Sequence, residues 1–442
     1  MSNEKDELLK EIYNEEKIIA KLPTYTVQNY RAISSGRTSW QNRARHQTNM
    51  SKMKERLLLI GEEERIASVV HAHLELHPYM LEFECPICLD SIPITERGNV
   101  LFMSCCGGVF CGSCSMGMLE RTKLTTCALC RGEYPSSNKV RADGIKRWAK
   151  KGNIFAQNLL AGLLYAGDNP AFPANKRQAL KWARASKGHP HSLFLIGSMH
   201  GTGECGLEKS EEKVRSILKV CAEGGYKDGQ EEYAAMSWWG KGGGVDRETA
   251  LRYATLACRD GKTDVQENLT QAACTLGWLY QFGEGGVDKS IPLAKHYLQL
   301  SSDGGHSMAY FQLAELLIND GLAVYDGNIS IPGFSPIPRA LYWARKSVAE
   351  DEKEGMYVRK GTTAVKEFIQ KLEVIVQKSC TNLDKGNSMQ QFGEVTLLSK
   401  VKLMCCGRCQ AAWYCSKTCQ LQHWNAGHKD DCIKQKKKKA EN

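Results

Sequence analysis

Between positions 150 and 355 the apolar residues recur at helical spacing, and the segments on either side carry no comparable stripe. Ala156, Leu159, Leu160, Leu163 and Leu164 stand at i, i+3, i+4, i+7 and i+8, one face of a helix. Ala272, Leu276, Leu279 and Tyr280 repeat that stripe further on. Second helices are predicted over Ala179 to Ala185, Ala250 to Ala257 and Ala294 to Leu300. Glycine-rich turns, Gly240 to Asp246 and Gly283 to Asp288, separate first helices from second ones, and Gly188, Gly224, Gly261 and Gly304 close the pairs. The period is about 36 to 44 residues, which suits a two-helix repeat. One such hairpin cannot bury its apolar face alone, whereas stacked hairpins can. A fifth, degenerate unit (Met308 to Ala349) carries a long insert, Tyr325 to Pro338.

Residues 1–80 read as charged, partly helical or flexible. Glu4 to Ala20 predicts a helix with Leu8, Leu9, Ile12 and Ile19 on one face, and Met53 to Leu76 predicts another. The polar, basic stretch from Arg31 to Arg56 is expected to be flexible. A helical linker is expected over 356–379, and a polybasic tail, 433–442, carries Lys434 to Lys439.

Composition bounds the function classes. Apolar residues make up 42% and charged residues 24% of 442 residues, an ordinary globular balance for several domains. No apolar run approaches the ~18 residues of a membrane span. Met1 to Lys17 has no apolar centre, so no signal peptide is expected, and an intracellular, reducing setting follows, cytoplasmic and/or nuclear. The 19 cysteines therefore point to metal rather than to disulfides. No P-loop, nucleophile elbow or His-Glu-x-x-His helix is present, which argues against a kinase or hydrolase. Nucleic acid is not the expected partner, since the net charge of +10 is modest and about half of it sits in the tail. Cys205, Cys221, Cys258 and Cys274 fall among apolar helical positions and read as small core residues.

The remaining cysteines form two clusters. In the first, Cys85 and Cys88, Cys105 and Cys106, Cys111 and Cys114, and Cys127 and Cys130 make four pairs, enough thiols for two tetrahedral zinc sites. The run Cys85-Pro-Ile87-Cys88, Cys106-Gly-Gly-Val-Phe110-Cys111-Gly-Ser-Cys114 and Cys127-Ala-Leu-Cys130-Arg131 resembles a RING finger. That resemblance implies interleaved sites, Cys85, Cys88, Cys111 and Cys114 for one zinc and Cys105, Cys106, Cys127 and Cys130 for the other. Gly108 stands in the usual histidine slot, and Cys105 is the available replacement. The family recruits a ubiquitin-charged conjugating enzyme, here through Ile87 and Arg131. The resemblance supplies no catalytic nucleophile.

The second cluster, over 380–432, closely resembles a MYND finger in its second half, with Tyr414-Cys415, Cys419-Gln420, His423-Trp424 and a final His428-x-x-x-Cys432. By that match Cys406, Cys409, His428 and Cys432 hold one zinc. Cys380, Cys415 and Cys419 would belong to a second, for which Cys405, His423 or a water remains open as the fourth ligand. MYND fingers bind short peptides of partner proteins. The repeats resemble Sel1-like repeats. The fold expected is therefore mainly α: an α-solenoid of Sel1-like hairpins over 150–355, flanked by a RING-like finger over 81–135 and a MYND-like finger over 380–432. The function implied is a RING-type ubiquitin ligase that docks substrates through the repeats and MYND finger. The alternative is a non-enzymatic adaptor built from the same modules.

Overall fold

The computed structural model describes residues 2–22, 36–95, 100–122, 126–133, 137–186, 188–259, 270–325, 337–354, 361–377, 404–409, 412–414, 417–428 and 432. The chain divides into two compact units, Met1–Glu63 with Ser290–Asn442, and Glu64–Lys289. Helix α1 (Ser2–Lys21) pairs with the first part of α2 (Gly36–Leu76). The predicted flexible stretch is instead helical from Gly36 onward, because α1 supplies partners along it. Arg43 donates to the carbonyls of Ile19 and Leu22 at 3.1 and 2.6 Å, a cation on the C-terminal end of α1. Glu15 meets His46 and Glu4 meets Arg56, a decreasing register that makes the helices antiparallel. Pairs at or near the surface add little each, but Ile12 and Ile60 are buried in the same unit.

The second unit opens with the end of α2. Two antiparallel hairpins follow, β1 (Glu82–Glu84) with β2 (Ser91–Pro93) and β3 (Val100–Phe102) with β4 (Val109–Cys111), then α3 (Gly112–Thr122) and α4 (Asn138–Lys150). The repeats begin with α5 (Ile154–Ala166), a short hairpin of β5 (Asp168–Asn169) and β6 (Phe172–Pro173), and α6 (Lys176–Ala185). They continue as α7 (Pro190–Thr202), α8 (Glu211–Glu223), α9 (Lys227–Trp239), α10 (Arg247–Ala257) and α11 (Thr270–Phe282). The first helix of each pair, α5, α7, α9 and α11, is 13 residues long.

Local chemistry sets those lengths. Gly167, Gly203, Gly240 and Gly283 stop the first helices with φ of 68 to 72°, a left-handed conformation that glycine adopts without Cβ strain. Asn175, Ser210 and Asp246 then start α6, α8 and α10, each accepting the backbone N–H three residues on, worth about 1 kcal/mol apiece. At the close of the pairs the left-handed residue is Gly225 (φ 84°), not the predicted Gly224, whose φ is −73°. Gly305 (φ 97°) likewise replaces Gly304, and Gly261 lies outside the described residues. Fully buried alanines, including Ala156, Ala161, Ala179, Ala183, Ala234, Ala250 and Ala254, let successive helices pack closely. Cys221 is buried within α8 as the apolar spacing suggests.

The first unit contains α12 (Ile291–Asp303), α13 (Ser307–Tyr325), α14 (Ile337–Glu354) and α15 (Gly361–Gln377). Ser290 caps α12, and Tyr297 donates to buried Glu62 of α2. Tyr310 of α13 stacks on Trp343 of α14 with centroids 5.4 Å apart. A small C-terminal module pairs β7 (Met404–Cys405) with β8 (Trp413–Tyr414), followed by α16 (Lys417–His423) and a π-turn, Trp424–His428. Arg345 of α14 ties it down, donating to the Cys409 carbonyl at 3.1 Å and to Glu373 of α15 at 2.7 Å. No described helix is long and apolar enough to cross a membrane.

Candidate metal centres

Among the described residues three donor sets come together: Cys85, Cys88, Cys111 and Cys114; Cys105, Cys106, Cys127 and Cys130; and Cys406, Cys409, His428 and Cys432. Within each set all donor atoms lie inside 4.8 Å of one another. A tetrahedral zinc with bonds of ~2.3 Å to sulfur requires sulfurs about 3.8 Å apart, whereas a disulfide requires about 2.05 Å. The spacings are 3.9 Å for Cys88–Cys111, 3.8 Å for Cys106–Cys127, 3.7 Å for Cys105–Cys130 and 3.6 Å for Cys406–Cys432. Cys409 Sγ lies 3.5 Å from His428 Nε2. These donors fit a tetrahedral thiophilic ion and do not fit cross-links.

Each set is built around a knuckle that favours a thiolate. Burial opposes ionisation of Cys85, yet backbone N–H groups of Cys111, Cys88 and Ile87 outweigh it and bring its pKa down to about 6. The same pattern lowers Cys127, through the N–H groups of Cys130 and Leu129, and Cys406, through those of Cys409 and Arg408. Burial first, then neighbouring thiols, push Cys105 and Cys432 upward. Four crowded thiols resist ionising together, and a divalent cation removes that resistance. The knuckles share a backbone: Leu89 N–H bonds Cys85 O and Arg131 N–H bonds Cys127 O. Leu89 and Arg131, each just after the second cysteine, both adopt left-handed φ, 64° and 59°. Ile87 and Arg131 are exposed at the two knuckles, Ile87 at 40%.

Adjacent Cys105 and Cys106 both enter the second set, because they diverge to different partners, Cys130 and Cys127. A Cβ at Gly108 would sit 2.4 Å from Leu129 Cδ1, so a side chain there requires Leu129 to swing aside. The loop that carries Cys105 and Cys106 rests on α4, an element that the apolar pattern did not reveal. Arg147 donates to Cys105 O at 3.0 Å and Asn153 to Gly107 O at 2.9 Å. A Cβ on Gly144 would lie 2.4 Å from Ser104 O. The other face of α4, Ala142, Ile145 and Ala149, joins the core of the first repeat with Ala156 and Leu160. Finger and solenoid thus share one helix. Gly144→Ala should destabilise the protein by about 1–3 kcal/mol, since overpacking against backbone exceeds the ~1 kcal/mol that alanine adds to a helix interior. A thermal melt checks this, and an equal or higher midpoint would refute it.

In the C-terminal module, Cys380, Cys415 and the side chain of Cys419 lie outside the described residues. Cys405 is exposed in β7, apart from the third donor set. His423 stacks on His428, with centroids 4.5 Å apart, and its Nδ1 is 2.8 Å from the hydroxyl of buried Tyr414. Burial, then the neighbouring His428, hold its pKa down at about 3. It thus buttresses a donor histidine.

Donor sets of this chemistry beside stacked helical hairpins define a zinc-binding repeat protein. Family models make this particular: the Sel1 repeat matches residues 154–186, 190–213, 227–262 and 270–306, and the MYND finger matches residues 390–432. The chain therefore carries Sel1 repeats and a MYND zinc finger, the latter match starting beyond Cys380. The cysteines of 85–130 lie outside both matches. No curated protein matches the chain. Solved structures similar to it include a protective antigen of uropathogenic Escherichia coli displaying an SLR fold, at 20% identity over 55% of this chain and 53% of that one, TM-score 0.35. A Sel1 repeat protein from Oxalobacter formigenes is 18% identical over 59% of this chain and 95% of that one, TM-score 0.39. A sel1 repeat protein from Klebsiella pneumoniae subsp. pneumoniae is 20% identical over 52% and 98%, TM-score 0.31. The match spans about half the length of the first of these.

Proposed function

We propose that this chain is a zinc-organised docking protein whose first finger recruits a ubiquitin-charged conjugating enzyme, while the Sel1 repeats and the MYND finger hold partner proteins. Two zinc ions belong to the first finger, one per four-thiol set. One belongs to Cys406, Cys409, His428 and Cys432, and Cys380, Cys415 and Cys419 are assigned to a further one. The zinc is structural: it fixes short loops that have little apolar core of their own.

The observation that carries this reading is the interleaving of the two four-thiol sets, first pair with third and second pair with fourth. Ile87 and Arg131 are exposed, one on a knuckle of each set. An apolar side chain and a guanidinium there can seat a conjugating enzyme and restrain its tethered ubiquitin, a gain in rate through orientation alone. The test is ubiquitin transfer by the full zinc-loaded chain across a panel of conjugating enzymes. Ile87→Ala and Arg131→Gly should each slow chain formation roughly tenfold or more without changing metal content; glycine suits the left-handed backbone at 131. If the wild type forms no chains with any enzyme, the non-enzymatic adaptor reading stands instead.

A further inference from the structure

We propose that the groove bounded by β3, α4, α5 and α7 receives an extended segment of a partner protein that carries one large apolar side chain flanked by carboxylates. This extends the docking part of the reading above and does not depend on ubiquitin transfer.

The groove encloses about 800 Å³ and lies wholly within Glu64–Lys289. That is within the usual range for a site that buries a ligand. Half-buried Phe102, Phe155, Leu159, Leu163 and Phe194 line it. Two of its lining residues, Ser104 and His189, are each 4% exposed. Yet Ser104 Oγ and His189 Nδ1 have no hydrogen-bond partner among the described residues. A buried polar atom left unpaired costs about 1–3 kcal/mol, so an occupant whose seating lets either atom find a partner gains affinity. His189 stands at the N-cap of α7 without making a cap bond, and Pro190 after it has no N–H to offer. Burial brings His189 down to about 4, so at neutral pH its ring keeps one donor and one acceptor.

Two features specify the occupant. First, Val100, Leu101 and Phe102 of β3 line the groove, and β3 pairs with β4 in a two-stranded sheet, so its other edge suits an added extended strand. Second, α4 is basic: Lys139, Arg141, Lys146, Arg147 and Lys150 are exposed on it against Asp143, and Arg141 reaches the groove itself. Asp168 is the one acidic residue among the described residues that line the groove. Carboxylates on the partner complement the α4 side and favour encounter.

The test pans a random twelve-residue display library on the full zinc-loaded chain. Each enriched family is then mapped by hydrogen exchange and measured by fluorescence anisotropy. The expected result is a family with an aromatic or large aliphatic anchor beside Asp or Glu, which slows exchange in 100–104 and 155–163. Its affinity should fall at least tenfold in Arg141→Glu, a surface change that spares the core, and in Leu159→Asp, checked for unchanged metal content. The proposal is overturned if no enriched family protects the groove. It is equally overturned if the protecting family is basic or uncharged, or if it binds Arg141→Glu as tightly as wild type. Failure here leaves the ubiquitin assay unaffected, and failure there leaves this binding unaffected.

Discussion

Cys127→Ser should lose one zinc ion per chain and unfold the first finger along with its seat on α4. Cys127 is 1% exposed. The N–H groups of Cys130 and Leu129 lower its pKa against the effect of burial, which favours its thiolate form. Serine neither ionises at neutral pH nor binds zinc as tightly. Structural zinc contributes on the order of 10–16 kcal/mol to small fingers, and the core around Met103 and Phe110 is too small to compensate. Elemental analysis should fall by one ion relative to wild type, and exchange should accelerate across 100–111 and into α4. Unaltered metal content, or unchanged protection in α4, would contradict both the donor assignment and the shared wall.

The second large effect is expected at Glu231 in α9. Its Oε1 accepts the N–H groups of Gln271 at 2.8 Å and Ala272 at 2.9 Å, so one repeat caps the first helix of the next. Glu231→Ala leaves those helix-terminal donors buried and unpaired and opens a cavity, a cost of about 2–4 kcal/mol. Burial raises the carboxyl pKa to about 8, with Glu232 and Asp228 adding to the rise and the two N–H bonds opposing it. An acid whose folded pKa is raised adds stability that is complete below its unfolded value, near 4.5, and is lost as pH climbs through about 8. Wild type should therefore lose stability between pH 5 and 8 relative to Glu231→Gln, by on the order of a few kcal/mol. Comparing the two variants at each pH subtracts any effect of pH on the metal centres. Parallel urea-melt profiles for the two proteins would dismiss this account.

Much of this architecture is written in short-range pattern. The stripes at Ala156 to Leu164 and Ala272 to Tyr280 reveal first helices because an amphipathic face repeats every turn. The turn glycines and the caps at Asn175, Ser210 and Asp246 act within a few residues. Cysteine pairs reveal the donor sets for the same reason. What stays hidden depends on partners distant along the chain. Helix α4 buries only three apolar side chains, Ala142, Ile145 and Ala149, in a basic sequence, and its purpose shows once Gly144 meets Ser104. The first turns of α2 are polar and become helical beside α1. Glu231 reads as a surface acid until the next repeat brings the N–H groups of α11 to it. The spacing of His428 and Cys432 marks His423 as a packing residue more readily than a donor, while its stacking on His428 appears only in three dimensions.

The shared wall of α4 has a mechanical outcome. If the first finger carries a conjugating enzyme as proposed, a cargo seated in the groove and that carrier would be separated by a stiff distance, with no tether to search space between them. In tethered systems local concentration follows the length of the connecting chain. Here reach would be set by the cargo's own geometry, so selection would fall on which acceptor amine stands at the right place, and lengthening a loop elsewhere would not widen that choice.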